Sequence, residues 1–299
     1  MLRDSLKELS SNDPLRLAGA TAFFTTFALP PILIILILVL GLIFDRRNIS
    51  RQIFDRLETM LGKATVDQLI ATLRGFREMA ENPLLTIGLL IFLIFVATTL
   101  FKVIKASLNQ IWKIRVEEKR NVGQRLKARL QSFLVILFTG LLFLASLVGD
   151  ATQVFLGRYI SAIWPEIMPY FNNALNYVLS VLVVTMWFII LFRYLPDARL
   201  SWKVSFVGGL FTSILFNIGK LVMGYLLIRG NISSLYGASG SLVLLLLFVF
   251  YSSFILYFGA AFTKIWAYHR SDPIKPLSYA IHYKQVHVEL EKGAPDAER

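Results

Sequence analysis

The stretch Asn231–Trp266, NISSLYGASGSLVLLLLFVFYSSFILYFGAAFTKIW, decides the fold: a Gly/Ser-rich turn opens into a nearly unbroken apolar run that closes on a basic, aromatic tip. No charge falls between Leu242 and Phe262, and about 20 helical residues rising about 1.5 Å each cross a hydrocarbon core of about 30 Å. The run reads as a membrane-spanning helix. The whole chain agrees, because 56% of its 299 residues are hydrophobic, 17% are charged and the mean hydropathy is +0.63, values that belong to polytopic membrane proteins. There is no cysteine, which excludes disulfides and thiolate metal sites.

Working outward, five more apolar runs appear. The expected fold is an all-α membrane protein with six transmembrane helices at about residues 17–44, 84–104, 132–152, 174–194, 204–228 and 238–266. The first run is too long for a signal-peptide core and lacks a small-residue cleavage site, so it is expected to stay as the first span. Three parts follow: an amphipathic helix over 1–13, the six-span domain over 14–268 and a mobile cytoplasmic tail over 269–299. Leu2, Leu6 and Leu9 share one face of the first part, which predicts a helix lying on the membrane surface. Asp13 followed by Pro14 reads as a helix cap and first helical position.

Residues 45–83 form the longest polar insertion. Ile49, Ile53, Phe54, Leu57, Met60 and Leu61 make one helical stripe that stops at Gly62. Val66, Leu69, Ile70, Leu73 and Phe76 make a second, opened by a capping-box arrangement of Thr65 and Gln68. This predicts an extracytoplasmic amphipathic helical hairpin between the first two spans, lying on the bilayer or over the mouth of the bundle.

Polar and small residues inside the spans are the candidate functional positions. Pro30 and Pro31 remove backbone donors and should bend the first span; Thr21, Thr25 and Thr26 precede them, and such residues ordinarily pack helices or bond back to their own carbonyls. Lys102, Lys105, Asn109 and Gln110 recur at near-helical spacing where the second span ends, and lysines there are expected to snorkel to head groups. Asp150 edges the third span. The fifth holds Gly208, Gly209, Thr212, Ser213, Asn217 and Lys220, and Gly237 and Gly240 open the sixth. The glycines read as helix-packing or bending positions. Lys220, with Asn217 three residues earlier on the same face, either snorkels to the head-group layer or is the candidate contact for an anionic head group, with Thr25 and Asp150 as further candidates.

Charge asymmetry orients the chain. With six spans, 21 Lys and Arg fall on the side of the N-terminus and tail against 9 on the other, which places both termini in the cytoplasm. That role for basic residues also accounts for the net charge of +12 without a nucleic-acid partner.

These motifs carry a resemblance. AGATAFFTTFALPP at 18–31, SLNQIW at 107–112, YLPDARLSWK at 194–203 leading to Gly208-Gly209, and YGASGSLVLLLLFVFYSSFILYFGAAFTKIW at 236–266, in that order, resemble the YihY/virulence factor BrkB family over about residues 15–268. The resemblance implies a six-helix bundle of the bacterial inner membrane with no agreed biochemical activity, some members of which once carried the label ribonuclease BN. The sixth span departs from the family in having Phe248, Val249, Phe250 and Tyr251 where a Trp is common before the Tyr pair region, and Gly259, Ala260, Ala261 and Phe262 where an acid is common after the Gly-Ala.

The chemistry of a nuclease is not legible in the residues. The histidines, His269, His282 and His287, all fall in the tail, the aspartates are scattered between helix ends, and there is no P-loop, zinc spacing or serine-nucleophile motif. The expectation is a non-enzyme without metal or cofactor: a transporter or flippase-like protein for a lipid or amphipathic envelope molecule. The alternative is a non-transporting scaffold or assembly factor whose basic face holds anionic lipids or envelope proteins, and the legacy ribonuclease reading comes after both. The sequence assigns no oligomeric state.

Overall fold

A computed structural model describes residues 1–42, 44–79, 83–116, 134–135, 137–142, 145, 168–229 and 240–284. Helix α1 runs Leu2–Ser10, α2 Pro14–Leu40, α3 Arg46–Leu61, α4 Lys63–Met79 and α5 Pro83–Ile111; strand β1 is Ile114–Val116. After these come α6 (Met168–Tyr194), β2 (Ala198–Arg199), α7 (Trp202–Arg229), α8 (Gly240–His269), β3 (Lys275–Pro276) and β4 (Ala280–His282). Helices α2, α5, α6, α7 and α8 each contain a segment long and apolar enough to cross a membrane. Phe23, Phe27, Ile91, Phe92, Leu221 and Val222 on them are exposed, as expected of side chains whose solvent is lipid rather than water. The expected third span, about 132–152, lies largely outside the described residues; within it Thr139 accepts a hydrogen bond from Trp187 Nε1 of α6 at 3.1 Å.

Two ends of the bundle are defined by contacts. At one, Asp45 caps α3 by accepting from the Asn48 amide at 3.0 Å, and Gly62 at φ 81° ends α3 and lets α4 start at once, a backbone angle that favours glycine. Ile49, Ile53 and Leu61 of α3 and Leu69 of α4 bury against Leu33, Leu36 and Leu40 of α2 and Leu245 of α8. The expected capping box is not formed. α4 already begins at Lys63, and the two side chains turn to α8, Thr65 Oγ1 donating to the Ser241 carbonyl at 3.3 Å and Gln68 Oε1 accepting from the Ser241 hydroxyl.

At the other end lie α1, the ends of α5, α6 and α8, and four short strands, which together form a collar. β1 pairs antiparallel with β4 and β2 with β3. The reading of the chain as wholly helical did not contain these ribbons, because strands of two or three residues are too short to show an alternating pattern. They also hold residues 270–284 of the tail expected to be mobile: Ile274 and Ala280 are buried, the Leu277 amide donates to Asp197 O at 3.1 Å and the Tyr283 amide to Lys113 O at 3.0 Å. Residues 285–299 lie outside the described residues.

Helix α1 splits the leucine stripe that was expected to face the membrane. Leu9 and Ser5 are buried in the bundle, whereas Leu2 and Leu6 are exposed. Asp13 occupies the cap position of α2 but makes no capping bond, because its backbone is left-handed at φ 53°; its carboxylate lies 3.6 Å from Arg16 instead. Pro14 sits at the helix start, and α2 continues helical through Pro30 and Pro31, both buried.

Candidate functional site

The most elaborate polar constellation among the described residues is in the collar. Lys105 and Asn109 are one turn apart on α5, so both side chains leave the same face. They meet Asp197, which lies in the turn between α6 and β2 and is 1% exposed. Lys105 Nζ reaches Asp197 Oδ1 at 2.8 Å, Tyr279 from the tail donates its hydroxyl to the same oxygen at 2.9 Å, and Asn109 Nδ2 donates to Oδ2 at 2.8 Å. Asn109 Oδ1 in turn accepts from the Asp197 amide at 3.0 Å. The carboxylate thus has three side-chain donors, the condition under which a buried ion pair is tolerated. Lys105, expected to snorkel, is instead buried and paired, because its acid partner arrives from 92 residues later in the chain.

A second cluster ties α1 to the same end. Glu8 and Lys264 pair at 2.7 Å, and Lys264 Nζ also donates to the Ile111 carbonyl at 2.9 Å, where a cation satisfies the end of α5 and its dipole. Lys113 Nζ donates to Asn12 Oδ1 at 2.8 Å and Gln110 Nε2 to Asn12 O at 3.2 Å. Burial, then the neighbouring Lys264 charge, push the Lys113 ammonium below its usual range, with Glu8 opposing. Trp112, 1% exposed, donates its indole N–H to Ala260 O of α8 at 3.0 Å.

The residues singled out as substrate contacts are not gathered in one place. Thr25 Oγ1 donates back to Thr21 O at 2.7 Å, while Thr21 shares a hydrogen bond of 2.5 Å with the Tyr257 hydroxyl. Asn217 is buried in the α6–α7 contact, accepting from Ser180 Oγ at 3.0 Å and donating to Ser213 O at 2.9 Å. Lys220 is half-buried on α7, about 27 Å along the helix from its start. Asp150 and Gly237 lie outside the described residues.

The glycines mark close helix approach. A side chain at Gly208 would overlap Thr263, one at Gly259 would overlap Thr212, and one at Gly209 would press on Ile189 of α6; Gly240 is buried where α8 begins. Among the described residues no group of three His, Asp or Glu side chains is arranged to hold a metal. His269 Nδ1 and His282 Nε2 each lie 2.9 Å from a backbone carbonyl, of Ile265 and Ile274.

The hub was partly visible in the sequence. Lys105 and Asn109 stood out by spacing, and Asp197 is the lone acid in the basic segment RYLPDARLSWK. Tyr279 gave no signal, since its strand neighbours are set by pairing.

Comparison with known proteins bears on the same span of chain. The family model described as virulence factor BrkB matches residues 5–280, from within α1 to the first residue of β4. A UPF0761 membrane protein of Pseudomonas paraeruginosa is 26% identical over 244 residues, 81% of this chain and 57% of the relative. One of Paraburkholderia xenovorans is 26% identical over 268 residues, 86% and 59%, and one of Tolumonas auensis is 23% identical over 250 residues, 83% and 78%. The chain therefore spans somewhat more than half the length of the first two relatives. No solved structure matches. With the family model matching nearly the whole chain, the protein belongs to the virulence factor BrkB family of membrane proteins.

Proposed function

We propose that the chain is a six-span protein of the bacterial inner membrane, with both termini cytoplasmic, that moves a lipid or amphipathic envelope molecule across the bilayer. The observation that carries this reading is Lys220, a cation half-buried on the apolar helix α7 towards the end opposite the collar. A cation on an intramembrane helix is costly by about 2.5–3.5 kcal/mol on insertion scales. An anionic head group at the bilayer surface offsets that cost. The amphipathic pair α3 and α4 is the natural cover for such a place, an extracytoplasmic hairpin over the bundle mouth. None of the five described spans carries an Asp or Glu, so coupling to an ion through a central carboxylate has no support in them.

Direction supports the sixth span. Helices α5 and α6 both end in the collar, where Asn109 meets Asp197. The intervening chain has to return to the opposite end, and the apolar run at about 132–152 is the segment suited to do so.

A scaffold is the second reading, and the involvement of Asn217 in helix packing favours it. Vesicles reconstituted with the protein and a fluorescent phosphatidylglycerol separate the two. The transport reading expects protein-dependent movement between leaflets, slowed about tenfold by Lys220→Ala, the equivalent of one charge-assisted contact. Movement no faster than in protein-free vesicles rejects it in favour of the scaffold, for which cross-linking in native membranes should capture stable protein partners.

A further inference from the structure

We propose that the collar contains a binding site for a phosphate-bearing anion of head-group size, in the cavity between the α6–α7 turn and the tail. This site is independent of whether the protein transports anything. The cavity has a volume of about 520 Å³, within the range of small-ligand sites and larger than one phosphate needs. Three cations from three segments line it, Arg193 from the last turn of α6, Arg199 from β2 and Lys275 from β3, against one carboxylate, Asp272.

Strand register carries the argument. In the β2–β3 ribbon Arg199 is the direct Cα partner of Lys275, so two positive side chains are set across from each other. Like charges in that relation destabilise a strand pair, a repulsion the ribbon bears against its own contacts to Asp197 through Leu277 and Tyr279. A doubly negative group between them converts it into two charge-assisted contacts.

The rest of the wall suits the same ligand. The Arg193 guanidinium lies 4.2 Å from the centre of the Trp202 ring and donates through Nη1 to Leu200 O, which fixes the plane of its fork and leaves other N–H donors for an anion. Ser201 caps α7, its Oγ accepting from the Val204 amide at 3.2 Å, so the positive end of a 28-residue helix adjoins the cavity. Tyr279, also in the wall, has its hydroxyl committed to Asp197. An anion held by Arg199 and Lys275 therefore also fastens the tail ribbon over the buried Lys105–Asp197 pair.

The same chemistry is offered by a lipid head group and by a soluble phosphate ester, and one experiment distinguishes them. Because the chain has no cysteine, Ser278→Cys on the exposed rim takes a single environment-sensitive fluorophore. The full chain is placed in nanodiscs of phosphatidylcholine and titrated with glycerol 3-phosphate, and separately in nanodiscs of increasing phosphatidylglycerol content. A saturable response to the first identifies a soluble ligand, a response only to the second identifies a lipid, and both support the site. Arg199→Gln with Lys275→Gln should weaken the response about tenfold or more, as loss of charge-assisted hydrogen bonds predicts, whereas Lys203→Gln, outside the cavity wall, should leave it unchanged. As a second readout, Lys275→Gln should melt at or above the wild-type temperature without anion, by relief of repulsion, and lose the rise in melting temperature that anion gives the wild type. No saturable response in either arm, or an equal response in the Arg199/Lys275 variant, overturns the proposal.

Discussion

Asp197 binds four residues from two parts of the chain at its carboxylate and its backbone: Lys105 and Asn109 of α5, and Tyr279 and the Leu277 amide of the tail. Removing one partner of a buried pair leaves the other charge without compensation, which costs about 3–5 kcal/mol, whereas replacing both with apolar groups is often close to neutral. Asp197→Ala should therefore lower the melting temperature in detergent markedly. The double variant Asp197→Leu/Lys105→Met should recover a large part of that loss, although Asn109 and Tyr279 still lack their acceptor. Additive losses in the double variant would show that the ion pair is not what holds the site. The residues of this hub were legible one by one, as a lysine and an asparagine at helical spacing and a single acid in a basic turn. Their meeting was not, because hydrophobic periodicity fixes which face a side chain leaves from and not which element arrives opposite it.

At the scale of elements, α7 and α8 are joined by a reciprocal device. Gly208 lies against Thr263 and Gly259 against Thr212, each threonine bonding back to the carbonyl of the glycine four residues before it, Thr212 to Gly208 O at 2.6 Å and Thr263 to Gly259 O at 2.7 Å. Two antiparallel helices thus present the same glycine–threonine spacing to each other. Lipid tails are as apolar as leucine, so such helices gain from close contact rather than from hydrophobic exclusion. Gly208→Ala should cost about 1–3 kcal/mol through overpacking, read as a fall in melting temperature, and Gly208→Ala/Thr263→Ala should restore part of it. Equal loss in single and double variants would place the fault elsewhere than in this contact. The small residues of α7 were legible as packing positions, but their partners on α8 were hidden in an uninterrupted apolar run. The five described spans were legible for the opposite reason, since some twenty mostly apolar residues have few alternatives. The ribbons were not, because a strand of two residues is defined by its partner alone.

For the whole molecule, the collar makes the two ends of the described chain interdependent. α1 is held by Glu8–Lys264 and by Asn12, and the tail runs back across the bundle so that β3 holds the α6–α7 connection while β4 holds the segment that follows α5. The spans are registered by the glycine–threonine contacts of α7 and α8 and by hydrogen bonds such as Ser180–Asn217, and the polar collar adds ion pairs and ribbons that fasten this end. Ending the chain after Lys284 keeps both ribbons and every collar contact described above, and should leave the melting temperature within about 1–2 °C of the full chain, a change of about 0.5 kcal/mol or less. Ending it after Ser271 removes β3, β4 and Tyr279 and leaves Asp197 with two side-chain donors instead of three. That truncation should melt well below the first and open the α6–α7 turn to protease at Arg199, whose side chain is already exposed. Equal melting temperatures for the two truncations, with Arg199 still resistant to trypsin, would mean that the spans hold their register without the tail.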